Sequence, residues 1–300
     1  MSKNSSNNLK IKRYFIGYMF MLPSICLLII WFYIPVIWTC FLSFQNWDGY
    51  LAQEWVGLQN YTNLLKDEVA TRAIFNSVSM ALTQTAFAVA IGIVMAVFIF
   101  VVTKKEGTFY RLVFFMPSMI PTAIIGVLFI FVYNYDFGII NNLLRVLGLD
   151  FMAKAWLEES NTVISSINFV NIWKNSGITM MLTYASLTMI PESFFEASKL
   201  EGASYRTQIF KIMLPLAKPI MTLSTLYTLS LGFKTFDTVF TLTRGGPANL
   251  SMTVPLYMSL TSFQYGQFGY AASMGVILTV LVVLIFAVIN KAAGGEYFEY

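Results

Sequence analysis

Three charged side chains stand well inside apolar stretches: Lys174 between Val163 and Ile190, and Lys234 and Asp237 between Leu216 and Leu242, where Lys218 lies only near the start. A charge at mid-membrane costs about 2.5–3.5 kcal/mol on insertion scales, so each is a candidate for lining a watery path or relaying an ion. Lys234 and Asp237 are three apart, a spacing at which two side chains meet on one helix face and offset part of each other's desolvation. A neutralised pair reaching the outer interface fits that spacing equally well. Lys174 lies about 16 Å inside its helix if that helix starts near Val163, deeper than its stem reaches to water. On the same helix Trp173, Gly177, Met181 and Tyr184 fall near one stripe beside Asn175, and Phe236 stands between the other two charges. The stripe is either the lining of a path or packing against a neighbouring helix.

Much other chemistry is excluded. The chain has no histidine, which removes imidazole relays, histidine metal ligands and Ser-His or Cys-His nucleophile pairs. Cys26 and Cys40 share one apolar stretch and, if it is helical, lie about 21 Å apart, too far to bridge; both read as packing residues. No Gly-Lys-Ser or Gly-Lys-Thr follows a glycine loop, so the chain has no nucleotide site of that kind, and most acidic residues lie in loops rather than in one cluster. The net charge of +4 is scattered in short groups between uncharged runs, not gathered into the stripe that nucleic acid requires.

The elements that hold these residues must be membrane helices. Of 300 residues, 57% are apolar and 11% charged, and the mean hydropathy is +0.67; so few charges cannot cover a water-facing surface. A span needs about 20 mostly apolar residues. Tyr14 to Trp47 is uncharged and too long, and too lacking in a small-residue cleavage site, for a removed signal peptide. Ala73 to Thr103 and Leu112 to Tyr135 follow, then Val163 to Ile190, Leu216 to Leu242, and a sixth helix from Phe268 to Asn290 after a loop-like stretch beginning at Gly245-Gly246-Pro247. With the amino terminus inside, the inner segments hold Lys3, Lys10, Lys12, Arg13, Lys104, Lys105, Arg111, Lys199, Arg206, Lys211, Lys218 and Lys291. The outer ones hold Lys66, Arg72, Arg145, Lys154 and Arg244. Positive charge accumulates on the cytoplasmic side, so both termini are expected there.

Between the fourth and fifth spans, Pro191 to Pro215 is too structured for a simple turn. Glu192 to Glu201 has helix formers with early acidic residues, Gly202 can supply a turn, and Ala203 to Leu214 reads as a second short helix with Tyr205, Ile209, Ile212 and Met213 on one face. Such a helix lies on the membrane or on a partner, or merely joins two spans.

Glu196-Ala197-Ser198, Gly202, Ile212 and Leu214-Pro215 stand at fixed spacing over twenty residues. In this the chain resembles the inner-membrane permease subunits of binding-protein-dependent ABC importers, whose signature is Glu-Ala-Ala, three residues, Gly, nine residues, Ile, one residue, Leu-Pro. The one departure is Ser198 for the third Ala, a small-for-small change. Trp55-Val-Gly-Leu-Gln-Asn-Tyr61, Phe114 to Pro117 and Pro121, Asp136 to Asn141 and Thr243 to Pro247 extend the likeness over nearly the whole chain. They resemble the carbohydrate-uptake branch, in particular the member of each pair similar to the maltose-system F subunit, without that subunit's extra spans and large outer domain.

The resemblance implies an all-α membrane protein of the type I importer kind: a cytoplasmic tail over 1–13, a six-helix permease domain over 14–290 with the coupling segment at 191–215, and a cytoplasmic tail over 291–300. It implies that Glu196, Ala197, Ser198, Gly202, Ala203, Ile212, Leu214 and Pro215 couple to a separate ATPase dimer that carries the ATP and Mg, this chain holding no cofactor and being no enzyme. Gly202 is expected to permit close approach of that ATPase. The further partners are a second, homologous permease, an extracytoplasmic solute-binding protein, lipid and a sugar, with no nucleic acid, in a bacterial or archaeal cell membrane. Sugars stack their C–H faces on aromatic rings, so Trp173, Lys174, Asn175, Tyr184, Lys234, Phe236 and Asp237 are the expected substrate path. The competing expectation is an ion-driven secondary carrier coupled through Lys174, Lys234 and Asp237, against which stands the lack of evident broken half-helices.

Overall fold

The computed structural model describes residues 17–50 and 53–293; the expected tail at 1–13 lies outside them, and of the tail expected at 291–300 only 291–293 is described, continuing the last helix. Twelve helices are labelled here in chain order: α1 Gly17–Leu42, α2 Gln59–Lys66, α3 Glu68–Val101, α4 Lys104–Met119, α5 Thr122–Val132, α6 Ile139–Val146, α7 Val163–Thr188, α8 Glu192–Leu200, α9 Tyr205–Phe233, α10 Asp237–Leu242, α11 Val254–Phe263 and α12 Phe268–Ala293. A two-stranded antiparallel pair, β1 Gln45–Asn46 and β2 Glu54–Trp55, follows α1.

By length and composition α1, α3, α9 and α12 are each apolar enough to cross a membrane, and α4 with α5 would make a fifth, broken span. The 26-residue α7 is as long but more polar. It is the hub of the bundle, enclosed by α3, α4 and α9, and protein rather than lipid surrounds its buried Asn168, Asn171, Asn175, Ser176, Thr179 and Thr183. Small residues permit this enclosure. A Cβ on Gly92 of α3 would stand 2.7 Å from Thr179 Cβ and 2.8 Å from the Met180 nitrogen, and one on Gly232 of α9 would stand 2.7 Å from Ala81 Cα. Thr179 Oγ1 donates to the Ala88 carbonyl at 2.8 Å, tying α7 to α3.

Two expected spans are broken. The stretch from Leu112 to Tyr135 bends by 95° between α4 and α5. Pro121 is the cause: the residue before a proline is pushed out of the helical region, and Ile120 is extended with ψ 134°, whereas Pro117 is absorbed inside α4. The stretch from Leu216 to Leu242 stops at Phe233, and Lys234, Thr235 and Phe236 are non-helical before α10. There the Thr235 hydroxyl bonds back to the Gly232 carbonyl at 2.6 Å, and Thr253 Oγ1 donates to the Thr235 carbonyl at 2.9 Å, so side chains satisfy groups the ladder would have used. The loop expected after Gly245 contains α11. Broken helices are therefore present where none was expected.

Prolines also leave milder marks. Ile29–Tyr33 and Ile209–Met213 are π-helical, and in each case the next residue donates five back, Ile34 to the Ile29 carbonyl and Leu214 to the Ile209 carbonyl. Pro35 and Pro215 stand one residue further on, so the widened turn accommodates the missing N–H without a kink. The helix α1 stands largely outside the bundle, and Cys26 and Cys40 are free and exposed on it rather than packed in a core.

At the opposite end of α3 from the α4 turn, Asp67 organises three helices. Its Oδ1 accepts from the Val69 and Ala70 amides at 2.8 and 3.1 Å, capping α3, and its Oδ2 accepts from the Tyr257 and Tyr270 hydroxyls at 2.8 Å each. Burial raises the Asp67 pKa, but the two tyrosines and the two amides outweigh it and hold the carboxyl below its ordinary value.

Candidate functional site

The two helix breaks open onto one cavity of about 340 Å³. From α3 comes Gln84; from the α4–α5 bend, Ser118 and Thr122; from α7, Asn171, Lys174, Asn175 and Ile178. From α9 come Tyr227 and Leu231, and from the second break and α10, Lys234, Thr235, Phe236, Asp237 and Thr238. Breaking a helix at each side frees polar groups where they line a space rather than meet lipid.

The polar groups are connected. The Lys174 ammonium donates to Thr122 Oγ1, the first residue past the bend, while the Lys174 carbonyl accepts from Ser118 Oγ. Gln84 Nε2 donates to Asn168 Oδ1 at 2.9 Å, and Thr238 Oγ1 donates to Asn171 Oδ1 at 2.8 Å. Asp237 acts on Lys174 through its charge and sits in the first turn of α10, where a carboxylate faces the positive helix end.

Of the expected path residues, Lys174, Asn175, Lys234, Phe236 and Asp237 line this cavity. Trp173 instead packs its ring 5.5 Å from that of Phe129, and Tyr184 lies under the Arg111 guanidinium at 5.0 Å. Gly177 is filled by α4, since a Cβ there would meet the Phe114 carbonyl at 2.5 Å. Within this chain these contacts are helix packing, although Trp173 keeps 40% of its surface exposed. Lys234 and Asp237 do not share a helix face, because the chain leaves the helix at the first and re-enters at the second. Sequence reasoning missed Gln84, Ser118, Thr122, Asn171, Tyr227, Thr235 and Thr238. The recurrence of Asn168, Asn171 and Asn175 at helical spacing was the available signal for one face of α7.

The second feature is the elbow at 191–215. Pro191 precedes α8, and α8 ends in a Schellman turn: Ala203 N donates to the Ser198 carbonyl at 2.9 Å and Gly202 N to the Lys199 carbonyl at 3.0 Å. Gly202 has φ +77°, and a Cβ placed on it would have nothing within 4 Å. Its conformation therefore requires glycine, and no described part of this chain crowds it. The expected second short helix is not separate. Tyr205 begins α9 and runs without interruption to Phe233. Its apolar face turns inward, with Met213 buried and Ile209 packed against the cluster of Ala96, Ile99, Leu187 and Ile190, while Tyr205 and Phe210 stay exposed.

Ser198 is buried, as is Gln208 on the first turn of α9; Gln208 Nε2 donates to Ser198 Oγ at 2.8 Å. The departure from the signature thus makes a specific bond. Glu196, Ala197, Gly202 and Pro215 are exposed, while Ala203, Ile212 and Leu214 are half-buried. Leu200, at the tip of α8, is 90% exposed, an apolar knob the sequence reading passed over.

The description "binding-protein-dependent transport system inner membrane component" matches residues 88–293. This chain belongs to that family. The permease is 32% identical over 268 residues, 89% of this chain and 91% of the other, to the probable ABC transporter permease protein YurN of Bacillus subtilis. It is 27% identical to the multiple sugar-binding transport system permease protein MsmF of Streptococcus mutans, over the same shares of the two chains. It is 26% identical to the trehalose/maltose transport system permease protein MalF of Thermococcus litoralis over 98% of both chains. Among solved structures, a bacterial ABC transporter involved in the import of the acidic polysaccharide alginate superposes with a TM-score of 0.82 at 22% identity, covering 95% of this chain and 96% of that one. The permease is a multi-pass membrane protein with the importer fold, and membership in a binding-protein-dependent family favours it over an ion-driven carrier.

Proposed function

We propose that the permease supplies half of a translocation path for a saccharide, paired with a second, homologous permease and driven by a separate ATPase dimer seated on the elbow at 191–215. Six crossings, with α4 and α5 forming one broken span and the continuous α7 the fourth, leave both termini in the cytoplasm. ATP and Mg belong to the ATPase, and an extracytoplasmic binding protein delivers the solute.

The observation that carries this reading is that one helix hairpin joins the cavity to the elbow. The α7 helix carries Asn171, Lys174 and Asn175 and runs down to Pro191, while α9 carries Tyr227 and runs up from Ser204 to the break at Lys234. A rigid displacement of α8 must tilt both walls of the cavity together, the geometry alternating access requires. Glu196, Ala197, Leu200 and Gly202 present an exposed, small-featured face to whatever moves it. The names of the MsmF and MalF relatives support a saccharide as the solute.

The test is uptake of labelled glycans into proteoliposomes holding the two permeases and the ATPase, with the binding protein outside and ATP within. The proposal requires glycan-stimulated ATP turnover and accumulation that survives an uncoupler. Uptake that collapses with the uncoupler and ignores ATP contradicts it.

A further inference from the structure

We infer that the solute of this path carries a negative charge, so that the cavity is built for an acidic saccharide, one bearing a carboxylate or similar oxyanion, rather than a neutral one. This rests on the reading of the cavity as the translocation path.

The lining has more positive charge and more hydrogen-bond donors than it can satisfy from within. Two lysines, Lys174 and Lys234, line the space with a single acidic residue, Asp237. Asp237 attracts Lys174, and Thr122 takes one of that ammonium's three donors. Lys234 is exposed, and its ammonium has no hydrogen-bond or ion-pair partner among the described residues. It stands on the three-residue break, where no helical register forces a lysine into the path. Asn171 adds a third surplus. Its side chain is 6% exposed, its oxygen accepts from Thr238, and its amide nitrogen has no partner among the described residues.

The buried Asn171 amide is an unmet donor in a low-dielectric wall, costly unless a ligand meets it, while the exposed Lys234 ammonium is free to meet an anion. A neutral sugar offers hydroxyls, which bring a donor with every acceptor. A carboxylate brings acceptors only, matching a wall whose surplus consists of donors and positive charge. The half-exposed Tyr227 ring is available to the sugar face. Charge-assisted bonds of this kind are roughly twice as strong as neutral ones, so a single lysine should set a measurable preference.

The experiment uses the complete importer with its binding protein in ATP-loaded proteoliposomes. The probes are radiolabelled hexuronate di- to tetrasaccharides and their carboxyl-reduced, neutral counterparts of the same linkage. Uptake of the acidic probe should exceed that of its neutral counterpart by about tenfold or more. Lys234→Gln and Lys174→Gln, which leave the binding protein's own selection untouched, should each cut acidic uptake by about tenfold and narrow the ratio. Preferential uptake of the neutral probes, or an acidic preference unmoved by both substitutions, overturns the charge assignment while leaving the saccharide importer in place. Uptake of neither class overturns the saccharide reading as well.

Discussion

The buried Gln208 amide donates to Ser198 Oγ at 2.8 Å, pinning the elbow helix α8 to the first turn of the long helix α9. Ser198 completes its own bonding by donating to the Phe195 carbonyl at 2.9 Å. The bond makes α8 and the foot of α9 one body, so a push on α8 reaches α9 without slack.

Ser198→Ala, which restores the residue usual in the family signature, leaves Gln208 with only a 3.5 Å approach to the Phe195 carbonyl. The expected cost is about 1–3 kcal/mol for the stranded amide, with more ATP hydrolysed per solute moved. Pairing it with Gln208→Leu removes both partners and should restore most of the stability. A thermal melt in detergent beside an ATP-to-solute ratio measures both, and a single substitution as well tolerated as the pair would contradict the account.

Gly202→Ala imposes a left-handed conformation on a residue with a Cβ, at a cost of about 1–2 kcal/mol. Nothing described in this chain crowds the position, so the isolated permease should lose only that. Gly202→Asp in the assembled importer should abolish solute-stimulated ATP turnover, because the added anion meets the ATPase. Equal stimulation by wild type and Gly202→Asp would count against the docking of that face.

Gly92→Val drives a branched side chain into Thr179 and the Met180 backbone. Overpacking of this kind costs about 1–3 kcal/mol or more, and the α3–α7 contact that closes the cavity should separate. A melting temperature unchanged from wild type would show that the two helices are less tightly apposed than described.

The Asp67 carboxyl titrates below its ordinary value in the folded chain. Its contribution is therefore fully present above the unfolded pKa of about 3.9 and is lost as pH falls through the lower, folded value. Asp67→Asn should cost about 1–3 kcal/mol at neutral pH, and its gap from wild type should close in strongly acidic buffer. A gap that is constant with pH would remove the carboxylate from the network that joins α3, α11 and α12.

Much of this architecture was legible in the sequence, for definite reasons. Uncharged length marked α1, α3 and α12, and the fixed spacing from Glu196 to Pro215 marked the elbow, because both are local properties of the chain. The breaks were not. Pro117 and Pro121 look alike in sequence, yet only Pro121 ends a helix, and the stop at Phe233 depends on Thr253 from twenty residues away. Charges in apolar stretches singled out Lys174, Lys234 and Asp237, which line one cavity. The Trp173–Tyr184 stripe misled because one face of a central helix packs as readily as it lines, and Asn171 was passed over although it recurs with Asn168 and Asn175.

Leu200, the exposed tip of α8, stands on the face proposed to receive the ATPase. With Cys26 and Cys40 replaced, Leu200→Cys in the assembled importer should crosslink to the ATPase, with a yield that changes between nucleotide-free and ATP-trapped states. A Leu200→Cys thiol that stays open to a water-soluble maleimide in every nucleotide state, and never joins the ATPase, would contradict the claim that the elbow couples this chain to its motor.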